Sequence, residues 1–107
     1  MDIVNLTPHA VHIMDADNNV IRTIEPSKKV ARLKTTTVIT GCIDDIPITE
    51  TVFGEVENLP QPKEDTVYIV SALIAQAATN RRDIFIPNES VRDNKGRIIG
   101  CRSLGRI

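Results

Sequence analysis

The chain is dominated by β-branched side chains, which favour extended backbone. Its 107 residues include fifteen Ile, ten Val and ten Thr against five Leu, and these residues are spread over the whole length. Because branching at Cβ restricts χ1 and suits the pleated surface of a sheet, the excess predicts strands rather than helices. A chain of this length fits one compact domain, so we treat residues 1–107 as a single domain.

The composition argues against several classes of protein. No apolar run approaches the ~18 residues that a membrane-spanning helix needs, and no basic start precedes an apolar stretch, so we expect a cytoplasmic protein without a membrane partner. Two Cys in a chain of this size do not indicate a disulfide scaffold, and their thiols fit a reducing compartment.

Apolar segments separated by turn residues predict eight or nine short strands. A first hairpin is expected to turn at residues 17–19, and a longer one at residues 41–45 between the arms 30–40 and 46–56. Alternation along the first long arm gives one face, which includes Ile39, enough apolar character to be core. Since so many strands need protected edges, we expect a mostly β (α+β) fold: a small rolled antiparallel sheet or partly closed barrel with one short helix.

The helix is expected inside a strand–helix–strand unit at residues 67–86. Ser71 can accept a backbone N–H bond at the start of a helix that runs through residues 72–78. Spacings of three and four residues predict which apolar side chains share its buried face. These are Leu73, Ile74 and Ala77.

Charged residues occur in blocks of opposite sign. Residues 22–34 and 81–106 are mainly basic, and residues 44–65 are mainly acidic. Six of the seven basic residues in the last block are Arg, whose planar fork grips phosphate or carboxylate in two bonds. The blocks can pair across the sheet as ordinary surface, or the last block can form an anion site.

Four short segments are distinctive in combination. They are N-L-T-P-H at residues 5–9, Y-I-V-S at 68–71, V-R-D at 91–93 and G-R-I-I-G-C at 96–101. Over nearly the full chain, these segments resemble a family of small proteins found in phages, prophages and bacteria. The resemblance brings no established activity, but it implies a free-standing protein of the cytoplasm, the host cytoplasm if a phage encodes it. It also suggests a host-facing or anti-defence role.

Motifs for catalysis and metal binding are weak. His9 and His12 form H-x-x-H, but positions three apart on a strand point to opposite faces, so we predict no metal site. Ser71, His9 and Asp83 could form a triad, yet no G-x-S-x-G elbow, H-x-[ST] pair, Walker loop or G-x-G-x-x-G is present. We therefore predict no catalytic residue and no cofactor, and we lean away from an enzyme.

Binding without chemistry has more support in the sequence. Asn5, Thr7 and His9 lie in a segment that Pro8 removes from regular sheet pairing, and their polar groups either satisfy nearby backbone or face a ligand. Ser71 likewise either caps its helix or leaves N–H groups free for a phosphate. The candidate ligand-binding residues are Asn5, Thr7, His9, Arg32, Ser71, Arg92, Arg97 and Arg102.

The sequence thus predicts a phage-type anti-defence binding protein that sequesters a small phosphorylated, nucleotide-like signal without cleaving it. One alternative is a protein-interaction module that inhibits a host partner by edge-strand or surface binding. The other is a phosphodiesterase-like enzyme. Nucleic acid is disfavoured because the net charge is -1 and there are only one Tyr and two Phe for stacking. The ligand is left open, and so is a homo-oligomer with a site shared between subunits.

Overall fold

The computed structural model describes all 107 residues, and it confirms a mostly β fold with one short helix. The elements in chain order are β1 (Asp2–Asn5), β2 (Val11–Met14), β3 (Val20–Ile24), β4 (Arg32–Ile43), β5 (Ile46–Glu57), β6 (Thr66–Ile69), α1 (Ala72–Ala77), β7 (Ile84–Arg92) and β8 (Ile98–Gly105). The one helix, α1, has six residues, and no helix of the chain is long and apolar enough to cross a membrane.

Six strands form one sheet in the order β1–β6–β7–β8–β2–β3, and it is mixed rather than antiparallel. β6 pairs in parallel with both β1 and β7, whereas β7–β8 and β2–β3 are antiparallel. The antiparallel prediction fails here because α1 carries the chain over the sheet between β6 and β7, and such a crossover returns the chain in the same direction. The sheet rolls until Asn5 bridges Pro26, but this single bridge does not close a barrel.

Strand β6 runs between two cores, one on each face of the sheet. Tyr68 and Val70 belong to the core beneath α1, and Ile69 belongs to the core on the opposite face. The first core is completed by Leu6, Ala31, Ile74, Ala75, Ala78 and Ile84, and the second by Val11, Ile24 and Cys101. Because successive residues of a strand point to opposite faces, the apolar run of β6 is what a strand buried on both sides requires.

Helix α1 confirms the strand–helix–strand unit but buries a different face from the predicted one. Ile74 and Ala75 are buried, as is Ala78 just after the helix, whereas Leu73 is 45% exposed and Ala77 is exposed. The prediction is therefore right for Ile74 and wrong for Leu73 and Ala77. Residues 73 and 77 are four apart, but so are 74 and 78, and spacing alone cannot decide which pair faces the sheet.

Strands β4 and β5 form a long hairpin, called here the arm (residues 32–57), that projects from the body. Within it only Leu33 and Val56, at its root, are half-buried, and they pack against the core beneath α1. The expectation of a buried face is wrong, since Ile39 is 72% exposed. The radius of gyration is accordingly 17.0 Å, against ~13 Å for a compact chain of this length.

Candidate functional site

A cleft of about 420 Å³ opens where the loop before β2 meets the ends of several strands. Its size is within the range of small-molecule sites, which span ~300 to 1,000 Å³. None of its lining residues is Asp, Glu, Lys or Arg, so no fixed negative charge repels an anion there. The lining residues are Thr7, His9, Ala10, Val11, His12, Val70, Ser71, Pro87, Ser90, Ile98, Ile99, Gly100 and Cys101.

Asn5 shapes the loop that forms one wall of the cleft. Its side chain is 1% exposed, and its amide nitrogen donates to His9 O at 2.8 Å and to Ile24 O at 3.0 Å. Its amide oxygen accepts from the backbone N–H of Thr7 at 2.9 Å and from the Thr7 hydroxyl at 2.6 Å. All of these bonds stay within the protein, so Asn5 lies behind the cleft and holds residues 5–9 against the end of β3.

His9 and His12 both line the cleft, although the sequence argument placed them on opposite faces. That argument is wrong because His9 precedes β2 and does not follow strand alternation. His12 Nδ1 lies 3.0 Å from Thr23 Oγ1 on β3, while the His9 ring makes no hydrogen bond within the chain. No group of three or more His, Cys, Asp or Glu side chains is placed to hold a metal ion.

Two serine hydroxyls of the cleft are free of partners within the chain. Ser71 occupies the N-cap position of α1 but makes no side-chain capping bond, so the capping role expected for its hydroxyl is absent. Ser90, on β7, is exposed and also lines the cleft. Both hydroxyls can donate to a ligand without breaking an existing bond.

An apolar part of the lining comes from β7 and β8. Ile98 and Ile99 are exposed to the cleft side of the body together with Pro87. Gly100 lets β8 approach β2 closely, since a Cβ at this position would lie 2.7 Å from His12 O. A larger residue at position 100 would push apart the two strands that carry His12 and Ile99.

The arginines of the β7–β8 hairpin do not line the cleft. Arg92 donates to Gly96 O at 2.6 Å, and Arg97 pairs with Asp93 at 3.0 Å between Nε and Oδ2. Bonds from the backbone N–H groups of Arg97 and Lys95 to the Asp93 carboxylate, together with the Arg97 side chain, lower the pKa of Asp93. The hairpin therefore neutralises part of its own charge.

Arg102 and Arg32 lie elsewhere. Arg102 reaches the β2–β3 turn, where it donates to Asp15 O and, at 2.7 Å, to Asn18 Oδ1. Arg32 is exposed at the root of the arm and makes no bond to another side chain. Of the eight predicted ligand-binding residues, the structure thus brings Thr7, His9 and Ser71 to one cleft, with Asn5 behind it.

Two further residues weighed for chemistry have structural roles. Asp83, considered as a triad member, binds Arg81 through two bonds of 2.9 and 2.8 Å, and this pairing lowers the pKa of the Asp83 carboxyl. Cys101 is buried, and its desolvation raises the pKa of the thiol, which favours the unreactive protonated form.

The sequence analysis missed Ser90 and the apolar wall at residues 98–99, and it discounted His12. Ser90 belongs to residues 87–90, for which the sequence predicts a bend and which the structure places inside β7. No motif distinguishes it from other surface serines. The exposure of Ile98 and Ile99 could not be anticipated, because apolar residues in a strand are normally assigned to the core. Comparison of the chain with family models, with curated proteins and with solved structures found no match.

Proposed function

We propose that the protein captures a small phosphorylated, nucleotide-like ligand in this cleft and holds it without cleaving it. The observation that carries the proposal is the pairing, in a cleft of about 420 Å³, of an apolar wall with hydroxyl and imidazole groups that have no partner in the chain. Ligand sites typically combine a mostly apolar lining with a few well-placed polar groups.

The polar and apolar groups of the cleft suit the two halves of such a ligand. Pro87, Ile98 and Ile99 offer apolar contact for a base or ribose. The hydroxyls of Ser71 and Ser90 and the ring of His9 can donate to phosphate oxygens, and hydrogen bonds to a charged acceptor are about twice as strong as neutral ones. No carboxylate side chain lines the cleft to oppose them.

Capture is favoured over turnover by the state of the polar side chains. A catalytic histidine is normally oriented by a third group and lies within hydrogen-bond reach of a nucleophile. The His9 ring has no such partner, and the hydroxyl that His12 contacts belongs to Thr23, which does not line the cleft. Asp83 is held by Arg81 outside the cleft. Binding needs none of these couplings.

The setting of this function follows from the resemblance to small phage, prophage and bacterial proteins. A phage-encoded protein of this kind would act in the host cytoplasm as an anti-defence factor by keeping a nucleotide signal from its effector. A homo-oligomer with a site shared between subunits stays a prediction.

A thermal-shift screen against mononucleotides, cyclic dinucleotides and ADP-ribose derivatives tests the proposal. A specific ligand at a hundred times its Kd adds ~2.7 kcal/mol, which raises the Tm of a domain of this size by roughly 10 °C or more. The Ser71→Ala/Ser90→Ala double variant should weaken binding about 100-fold or more, as expected for the loss of two charge-assisted bonds of ~1.5 to 3 kcal/mol each. Ser103→Ala, on β8 outside the cleft, is the matched control and should bind as the parent does.

The Arg hairpin remains a second place where an anion could bind, and Arg97→Ala separates the two. If the ligand contacts the hairpin, this variant loses affinity while the serine double variant keeps it. The cleft proposal predicts the reverse pattern.

A protein-interaction module is the second candidate function, and the open edge of the sheet favours it. β3 pairs only with β2, and its Val20 and Ile21 side chains are exposed, so a partner could add a strand there. Two results would support this module: no nucleotide in the screen stabilises the protein, and Ile21→Asp abolishes binding of a protein partner.

A phosphodiesterase-like activity would appear as cleaved nucleotide after incubation with the parent but not with His9→Ala.

A further inference from the structure

We propose that the arm packs against the arm of a second copy of this chain, antiparallel about a two-fold axis, to form a dimer. The proposal begins from the stability of the arm itself. A two-stranded hairpin without a third strand or a packed layer is marginally stable in water. Beyond its root at Leu33 and Val56, the arm has neither.

The arm also exposes a large apolar surface. Seven of its large apolar residues are between 37 and 72% exposed. At roughly 100 Å² for each half-exposed side chain of this size, the five of them that share one face of the arm present on the order of 500 Å². This is at the upper end of the ~300 to 600 Å² of the largest patch on a typical monomer, and it is more than half of the ~800 Å² that each partner buries in a standard interface. The seven residues are Val38, Ile39, Ile43, Ile46, Ile48, Val52 and Phe53.

The strand register assigns most of these residues to one face of the arm. Val38 pairs with Glu50 and Ile43 pairs with Ile46, with Gly41 opposite Ile48 between them. These pairs, and the pair of Thr36 and Val52, are spaced so that their side chains point to the same side of the two-stranded ribbon. We call this side the aliphatic face. The other face carries Ile39 and Phe53 among threonines. Two charged side chains fall on the aliphatic face: Glu50, opposite Val38, and Lys34, beside Gly54 near the root. Both are exposed.

The charges at the two ends of the arm favour a second copy of the chain as its partner, in an antiparallel orientation. The tip of the arm is acidic, with Asp44 and Asp45 in the turn. The root has a basic excess, because Lys28, Lys29, Arg32 and Lys34 outnumber Glu55 and Glu57, and Glu57 pairs with Lys34 at 3.8 Å. Asp44, Asp45, Lys28, Lys29 and Arg32 make no ion pair within the chain. In an antiparallel two-fold pair, the tip of each arm lies at the root of the other, so the acidic tip of one copy meets the basic root of its partner.

The geometry allows this contact along the whole arm. Each strand of the arm has 12 residues, or ~40 Å at the rise of a β-strand. A two-fold contact uses the same patch on both copies, and the aliphatic face with its charged ends is complementary to itself in this orientation. A second copy of the chain therefore satisfies both the apolar and the charged parts of the surface.

Sedimentation equilibrium at micromolar concentration tests the proposal. The parent should have twice the 11.8 kDa mass of the chain. Ile46→Asp and Val52→Asp, on the aliphatic face, should raise the dimer Kd by about 30-fold or more, the size of a hot-spot truncation. Ile39→Asp, on the other face of the same arm, is the matched control and should leave the Kd within about threefold of the parent. Thermal melts of all variants at one concentration establish that the body is folded.

Charge reversal tests the orientation. Asp44→Lys/Asp45→Lys should raise the Kd about fivefold or more at low salt, with a smaller effect at 1 M salt, because salt screens surface charges. Adding Lys28→Asp/Lys29→Asp to the same chain should restore the dimer, since each reversed tip then meets a reversed root. A monomeric parent, an Ile46→Asp variant that dimerises like the parent, or a monomeric Ile39→Asp variant would overturn the proposal. Reversed tips that reversed roots fail to rescue would overturn the antiparallel orientation.

Discussion

Replacing Gly100 by Ala should destabilise the protein, because the site of the new methyl group is already occupied. A Cβ there would lie 2.5 Å from Met14 Sδ and 2.7 Å from the carbonyl oxygen of His12. The Met14 side chain can change rotamer, although it is buried. The His12 oxygen belongs to the backbone of β2, so relief requires β2 to move away from β8.

The magnitude follows from two opposing effects. Forcing an extra methyl group into a packed position costs ~1 to 3 kcal/mol. Replacing glycine also lowers the entropy of the unfolded chain, which returns ~0.4 to 1 kcal/mol. Because the His12 oxygen is a backbone atom, the cost of the extra methyl group lies in the upper part of its range, ~2 to 3 kcal/mol. The free energy of unfolding should therefore fall by ~1 to 2.5 kcal/mol, and Tm should fall by roughly 5 to 20 °C in a domain of this size.

Urea and thermal denaturation of Gly100→Ala and Gly41→Ala, at one protein concentration, measure the effect. Gly41 lies on the arm, where a Cβ would meet nothing within 4 Å, so its substitution should be neutral or slightly stabilising. A Gly100→Ala protein as stable as the parent would refute the close approach of β2 and β8, and with it the wall of the cleft that these strands form.

Three further changes test the fold. Ile74→Ala leaves a cavity at a buried position and should lower the free energy of unfolding by ~2 to 5 kcal/mol. Leu73→Ala, on the exposed side of α1, should lower it by less than ~1 kcal/mol. Equal losses of stability in urea denaturation would contradict the helix orientation. Asp45→Gly should stabilise the protein by ~0.5 to 1 kcal/mol. Asp45 has a φ of 67° in the turn of the arm, and glycine adopts this conformation without a steric penalty. A lower Tm of the variant would contradict this turn conformation. Arg81 lowers the pKa of the Asp83 carboxyl in the folded protein below its ordinary 3.8. The ion pair therefore stabilises the fold fully above pH 3.8, and this stabilisation is lost as the pH falls through the lower pKa of the folded state. Asp83→Asn should therefore be less stable than the parent at pH 7, and the difference should shrink at pH 2 to 3; a constant difference would exclude the ion pair as its cause.

Composition and turn chemistry predict the strands, the single helix and its place between β6 and β7. They do not predict which side of α1 is buried, because Leu73 with Ala77 and Ile74 with Ala78 have the same spacing. They also do not reveal that the long hairpin leaves the body. Alternation predicts that the face with Ile39 is core, but it does not show that the body leaves this face of the arm uncovered.

The candidate cleft was predicted in part for similar reasons. The loop at residues 5–9 is marked by its proline and its short polar side chains, and Ser71 by its position before the helix. The arginines were selected by residue type, but their partners depend on distant contacts such as that between Arg102 and Asn18. The apolar wall of the cleft arises only when β7 and β8 are placed beside β2, which is a property of the three-dimensional fold.

An NMR titration tests most directly the claim that the cleft captures a nucleotide-like ligand without cleaving it. ¹⁵N-labelled protein is titrated with the tightest-binding nucleotide from the screen, and the amide chemical shifts and the ³¹P signals of the ligand are recorded. The account predicts that the largest amide shifts cluster at residues 7–12, 70–71, 90 and 98–101, and that the bound ligand, once released by heat, gives its original ³¹P spectrum. Shifts centred on residues 92–97 would place the site on the Arg hairpin. New ³¹P signals from a cleaved product would show that the protein is an enzyme, and either result would contradict capture in the cleft.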